Sequence, residues 1–111
     1  MKQYSEYMDD NFKIIYKILS SFERSLDVEE FELKSISAEK LGITQVRWVK
    51  YIEMLVEAEY LDGIEIRDTI TGIDVLEENP RITLKGLEYL AENSIMQRMY
   101  KTAKGIKDLI K

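Results

Sequence analysis

Between Ser37 and Leu90 the hydrophobic pattern changes period in an order that few folds accommodate. Ser35 or Ser37 can cap a short helix with Ala38 and Leu41 turned inward, and Gly42 suits the positive φ just past a helix end. Thr44 then starts a longer helix whose Trp48, Ile52 and Leu55 fall at i, i+4 and i+7. From Tyr60 the period drops to two. Leu61, Ile64 and Ile66 run into the turn-prone Asp68–Gly72, and Ile73, Val75 and Leu76 run back, which is a hairpin. Glu77-Glu78-Asn79-Pro80 reads as loop, Ile82 returns to the sheet, and Thr83 caps a helix carrying Leu84, Leu87, Tyr89 and Leu90. Two helices joined by the short Gly42-Ile43-Thr44 turn, a hairpin and a re-entering helix trace a winged helix-turn-helix, an α+β fold.

The flanks extend this plan. Asp9 or Asp10 can cap a first helix over 9–24, with Phe12, Ile15, Tyr16, Leu19 and Phe22 at three- and four-residue steps. Residues 26–33 interleave Asp27, Glu29, Glu30 and Glu32 with Val28, Phe31 and Leu33, which predicts an extended connection or short edge strand. The chain of 111 residues then reads as one domain: first helix 9–24, helix-turn-helix 36–58, wing 60–82 and C-terminal helices 83–111. Beyond Asn93-Ser94, an extra C-terminal amphipathic helix carries Ile95, Met99, Ala103, Ile106 and Ile110 on one side.

Residue types narrow the chemistry. The sequence holds neither Cys nor His, which removes disulfides, thiolate metal sites, the commonest zinc ligand and the usual neutral-pH base. It shows no nucleophile–base pair and no Gly-rich phosphate loop, and the acids of 27–32 lack the spacing of a calcium loop. The expectation is a protein that is not an enzyme, with no metal, no cofactor and no small-molecule substrate. MKQYSEYMDD lacks the apolar core of a secretory signal, and no stretch approaches the ~20 apolar residues of a membrane helix. A cytoplasmic protein without a membrane partner is expected.

Charge is divided unevenly. Arg98, Lys101, Lys104, Lys107 and Lys111 against Asp108 make 94–111 net +4, so the other residues of this −5 chain hold −9. Non-specific affinity for nucleic acid comes from Lys and Arg displacing counterions, and any contact with double-stranded DNA must therefore be local. In a helix-turn-helix the second helix enters the major groove. Outside the core stripe that helix offers Gln45, Arg47, Lys50, Tyr51 and Met54. Arg47 can fork onto guanine, Gln45 can pair with adenine and Lys50 can meet phosphate. Arg67 is the wing's candidate contact, although Asp68, Asp74, Glu77 and Glu78 surround it. Trp48 belongs to the core stripe and reads as structural.

The string ITLKGLEYL at 82–90, followed by AENSIMQRMYKTAKGIKDLIK, resembles the YjcQ-like family of small winged-helix proteins from Gram-positive bacteria and their prophages. The similarity is closest over about the last thirty residues and implies fold and origin, with no catalytic residues to carry over. The expected function is a winged-helix DNA-binding protein, a phage- or prophage-related transcriptional regulator acting by occupancy of DNA, with Thr44–Val56 as the specificity helix. The alternative is a protein–protein interaction module on the same scaffold. The stripe of Ile95, Met99, Ile106 and Ile110 is too long to leave wet, so the last helix is expected to pack against the first, either of its own chain or of a symmetry mate, the second arrangement giving a homodimer through the first and last helices.

Overall fold

The computed structural model describes the backbone of residues 2–93, with side chains from Asn11 onward. The expected C-terminal helix with Ile95, Met99, Ile106 and Ile110 lies outside the described residues. Helix α1 spans Lys2–Arg24, α2 Ala38–Leu41 and α3 Gln45–Glu57; strands β1 (Leu61–Thr69) and β2 (Gly72–Ile82) form an antiparallel hairpin, and residues 84–93 form α4. Four α-helices and one hairpin among the described residues make an α+β protein whose element order is compatible with a winged-helix-like fold. No helix among the described residues is long and apolar enough to cross a membrane.

Helix α1 begins seven residues before the expected Asp9 cap. Lys, Gln, Glu and Met ahead of Asp9 are good helix formers, so the helix passes through the two aspartates instead of starting there. Its inner face buries Ile18, Leu19 and Phe22 completely, whereas Phe12, expected in the same stripe, is half exposed. Of the two forms expected for 26–33, an extended connection or a short edge strand, the strand does not form. Its place is taken by 3-10 turns at Ser25–Asp27 and Leu33–Ile36 with irregular chain between them. Phe31 leaves this loop to meet Phe22, ring centroids 4.8 Å apart, and Leu33 is buried, whereas Val28 stays exposed.

The helix-turn-helix is built from its caps. Ser37 Oγ accepts from the Lys40 N–H, Gly42 closes α2 in the left-handed conformation, and Thr44 Oγ1 accepts from the Arg47 N–H at 3.1 Å. Trp48, Ile52 and Leu55 are buried as their spacing predicts. The Trp48 indole donates to the Ile36 carbonyl at 2.8 Å, tying α3 to the turn that precedes α2.

The hairpin turns at Ile70-Thr71 between the paired Thr69 and Gly72. The expected loop at 77–80 is instead part of β2, distorted by a bulge. Asp62 pairs with Arg81 and Ile64 with Glu77, so Gly63 alone faces Glu78, Asn79 and Pro80. Gly63 has φ +79°, and a Cβ there would lie 2.6 Å from the Glu78 and Asn79 carbonyl oxygens. Only glycine fits. Bulging keeps Pro80 and Ile82 buried while Glu78 and Asn79 stay in water. Helix α4 then packs Leu90 into the core, with Tyr89 stacked on Tyr60 at 4.9 Å between centroids.

Two outcomes follow from this packing. Leu55, at 3% exposure, is surrounded on all sides, so Leu55→Ala should lower the unfolding free energy by ~2–5 kcal/mol in a urea melt. Tyr89 has its phenol pKa raised above 10.0, first by burial and then by repulsion from Tyr60. Protonation is therefore favoured in the folded chain: the associated stability is whole below pH about 10 and is lost as pH rises through the folded value. Melts of the wild type should fall more steeply above that pH than those of Tyr89→Phe.

Candidate functional site

Helix α3 presents three faces, and the residues expected to meet DNA are divided among them. Tyr51 corrects the expectation outright. It is 3% exposed, because Trp48, Tyr51, Ile52 and Leu55 complete the i, i+3, i+4, i+7 pattern and widen the buried stripe by one position. That full template was present in the sequence and would have placed Tyr51 inside.

Arg47 lies beside it and is tied to α1. Its Nη1 donates to Asn11 Oδ1 and to Tyr51 Oη, each at 2.9 Å, while the Tyr51 hydroxyl donates to Asn11 Oδ1. The guanidinium carbon stands 5.8 Å from the Tyr51 ring centre. Part of the Arg47 donor set is thus spent within the chain. Asn11 carries this network, and a single polar residue on an apolar helix face was its only trace in the sequence.

Gln45 is exposed on the opposite flank of α3, beside a groove between the helix-turn-helix and the wing lined by Leu33, Trp48, Ile73 and Glu77. Lys50 is exposed near the outer crest, where Val46, Glu53 and Glu57 also project. That crest offers two carboxylates for one ammonium. Arg67 sits on the wing in an ion pair with Glu65 at 3.0 Å and opposite Asp74 in the strand register. The strands hold six acids and two arginines, so the wing repels phosphate along most of its length. Neither the crest nor the wing gathers Gln45, Arg47, Lys50 and Arg67 into one basic surface.

Glu77 has a structural task that its place in an acidic run concealed. Its carboxylate accepts from the Leu33 N–H, at 3.2 Å through one oxygen and 3.5 Å through the other. This satisfies the first donor of the second 3-10 turn and fastens the wing to the loop after α1.

Between α1 and α3 lies a groove of about 570 Å³. Phe12 and Ile15 form one wall, Val46, Lys50 and Met54 the other, and the Asn11–Arg47–Tyr51 network lies along it. Phe12, Val46 and Met54 are 51%, 65% and 50% exposed, an unusual concentration of uncovered large apolar side chains. Among the described residues the charged ones lining it are Arg47 and Lys50, with no acid.

These features define a small α+β protein with a helix-turn-helix, an acidic hairpin and an apolar groove edged by cations. The chain belongs to the YjcQ family, whose YjcQ protein description matches residues 16–109. A relative from Bacillus subtilis (strain 168), Uncharacterized protein YjcQ, is 33% identical over 76 residues that cover 68% of this chain and 79% of the relative. No solved structure matches the chain.

The network makes its own prediction. Tyr51→Phe removes one hydroxyl that both donates and accepts, while Asn11 and Arg47 retain access to water. The variant should lose about 1 kcal/mol in a urea melt and keep its fold by far-UV circular dichroism.

Proposed function

We propose that this protein is a non-enzymatic interaction module on a winged-helix-like scaffold, and that the α1–α3 groove docks a helix from a protein partner. The observation that carries this reading is the exposure of Phe12, Val46 and Met54 in a groove whose charged residues, among those described, are Arg47 and Lys50. Apolar walls ask for apolar side chains, and Arg47 and Lys50 ask for carboxylates beside them. The fitting partner is an amphipathic helix with acidic flanks. The expected DNA surfaces support the same reading by their charge, since Glu53 and Glu57 share the α3 crest with Lys50 and Glu65 closes on Arg67.

A DNA-binding regulator is the second reading, favoured by the exposed Gln45 and Lys50 on the second helix of the helix-turn-helix. Fluorescence polarisation with mixed-sequence duplexes at low salt separates the two. The docking reading expects no saturable binding. Binding that falls steeply with salt, with a log–log slope reduced by about one in Lys50→Ala, would replace it by the DNA reading.

A further inference from the structure

We propose that the occupant of the α1–α3 groove is the start of α1, residues 2–10, from a second copy of this chain, exchanged reciprocally about a two-fold axis. This rests on the groove being a protein-docking surface and names what fills it.

Charge selects between the two ends of the chain. The groove brings Arg47 and Lys50 beside walls that carry Phe12, Val46 and Met54, with no acid among the described lining residues. Residues 94–111 are net +4 and would set like charge against both cations. Residues 2–10 carry Lys2 against Glu6, Asp9 and Asp10, a side-chain charge of −2, together with Tyr4, Tyr7 and Met8. Charge and apolar content both match the groove.

Helix geometry then requires the match to be made between chains. Residues 2–10 belong to the same continuous helix as Asn11, Phe12 and Ile15, which form one wall of the groove. A helix rises about 1.5 Å per residue along one axis, so these turns run on along the α1 axis for roughly 13 Å and cannot bend back into the groove of their own chain. A second copy has no such constraint. Because one helix supplies both the wall and the inserted segment, a single two-fold axis near Asn11 satisfies both contacts, as a self-complementary dimer interface demands. The Asn11–Arg47–Tyr51 network holds this wall against α3 and presets the groove.

Sedimentation velocity on the full chain from 1 to 100 µM tests the pairing, and a dimer is expected. Lys50→Glu should weaken dimerisation roughly tenfold or more, and Asp9→Lys/Asp10→Lys should do likewise. Mixing the two variants should restore the dimer, because the unaltered groove of one then faces the unaltered acidic segment of the other, while the introduced carboxylate faces the introduced lysines; this recovery also shows that both variants are folded. Deleting 94–111 should leave the dimer intact. A monomer throughout the range, a dimer indifferent to Lys50→Glu, a mixture that fails to recover, or a dimer lost on deleting 94–111 would overturn the proposal. A monomer that also ignores DNA overturns the pairing alone, whereas salt-sensitive DNA binding overturns the docking reading beneath it.

Discussion

The burial of one face of α3 is the constraint on which the rest of the structure depends. Trp48, Tyr51, Ile52 and Leu55 share that face, and Ile52 is wholly removed from water in a core it shares with Ile18, Leu19 and Phe22 of α1. Burying four large side chains on a thirteen-residue helix leaves little freedom to rotate it, because any turn would expose one of them. Two polar tips fix the rotation more tightly. The Trp48 indole reaches the Ile36 carbonyl, and the Tyr51 hydroxyl reaches Asn11, so α3 is anchored on one flank to the turn before α2 and on the other to α1. Leaving either buried tip without a partner would cost more than an ordinary hydrogen bond gains.

Once α3 is locked, the fate of its charged residues follows. Arg47 is one position from Trp48 and falls toward α1, where Asn11 and Tyr51 meet it. Gln45 falls toward the wing and Lys50 toward water. Residues that look like one recognition set when read along the chain are thereby dispersed over three surfaces. The apolar positions left over, Val46 and Met54, join Phe12 to make the groove, so the same rotation that completes the core leaves an uncovered apolar strip beside it.

The wing shows a comparable trade between local pattern and tertiary demand. The run Glu77-Glu78-Asn79-Pro80 has the composition of a loop, with three residues disfavoured in strands on polarity or backbone grounds and a proline. Pairing nevertheless resumes beyond it at Arg81, because Gly63 lets two carbonyls approach where any other residue would collide and Asn79 accepts a positive φ. Glu77 gains a role that composition cannot announce. Its charge is used on a backbone N–H forty-four positions away, and in the sequence it is one acid among several.

Helix and strand periods, capping residues and the glycine turn were legible in the sequence because each acts within a few residues of itself. Ser37, Gly42 and Thr44 do in the structure what their side chains or backbone freedom dictate locally. The C-terminal strings likewise carried the family, which the match over residues 16–109 shows. The bulge at Gly63, the burial of Tyr51 and the capture of Arg47 by Asn11 were decided by tertiary structure. Each depends on a partner distant in sequence or on which of several locally acceptable conformations also closes the core. A residue's type and spacing set which contacts it can make; only the packed chain settles which of them remain available to anything outside it.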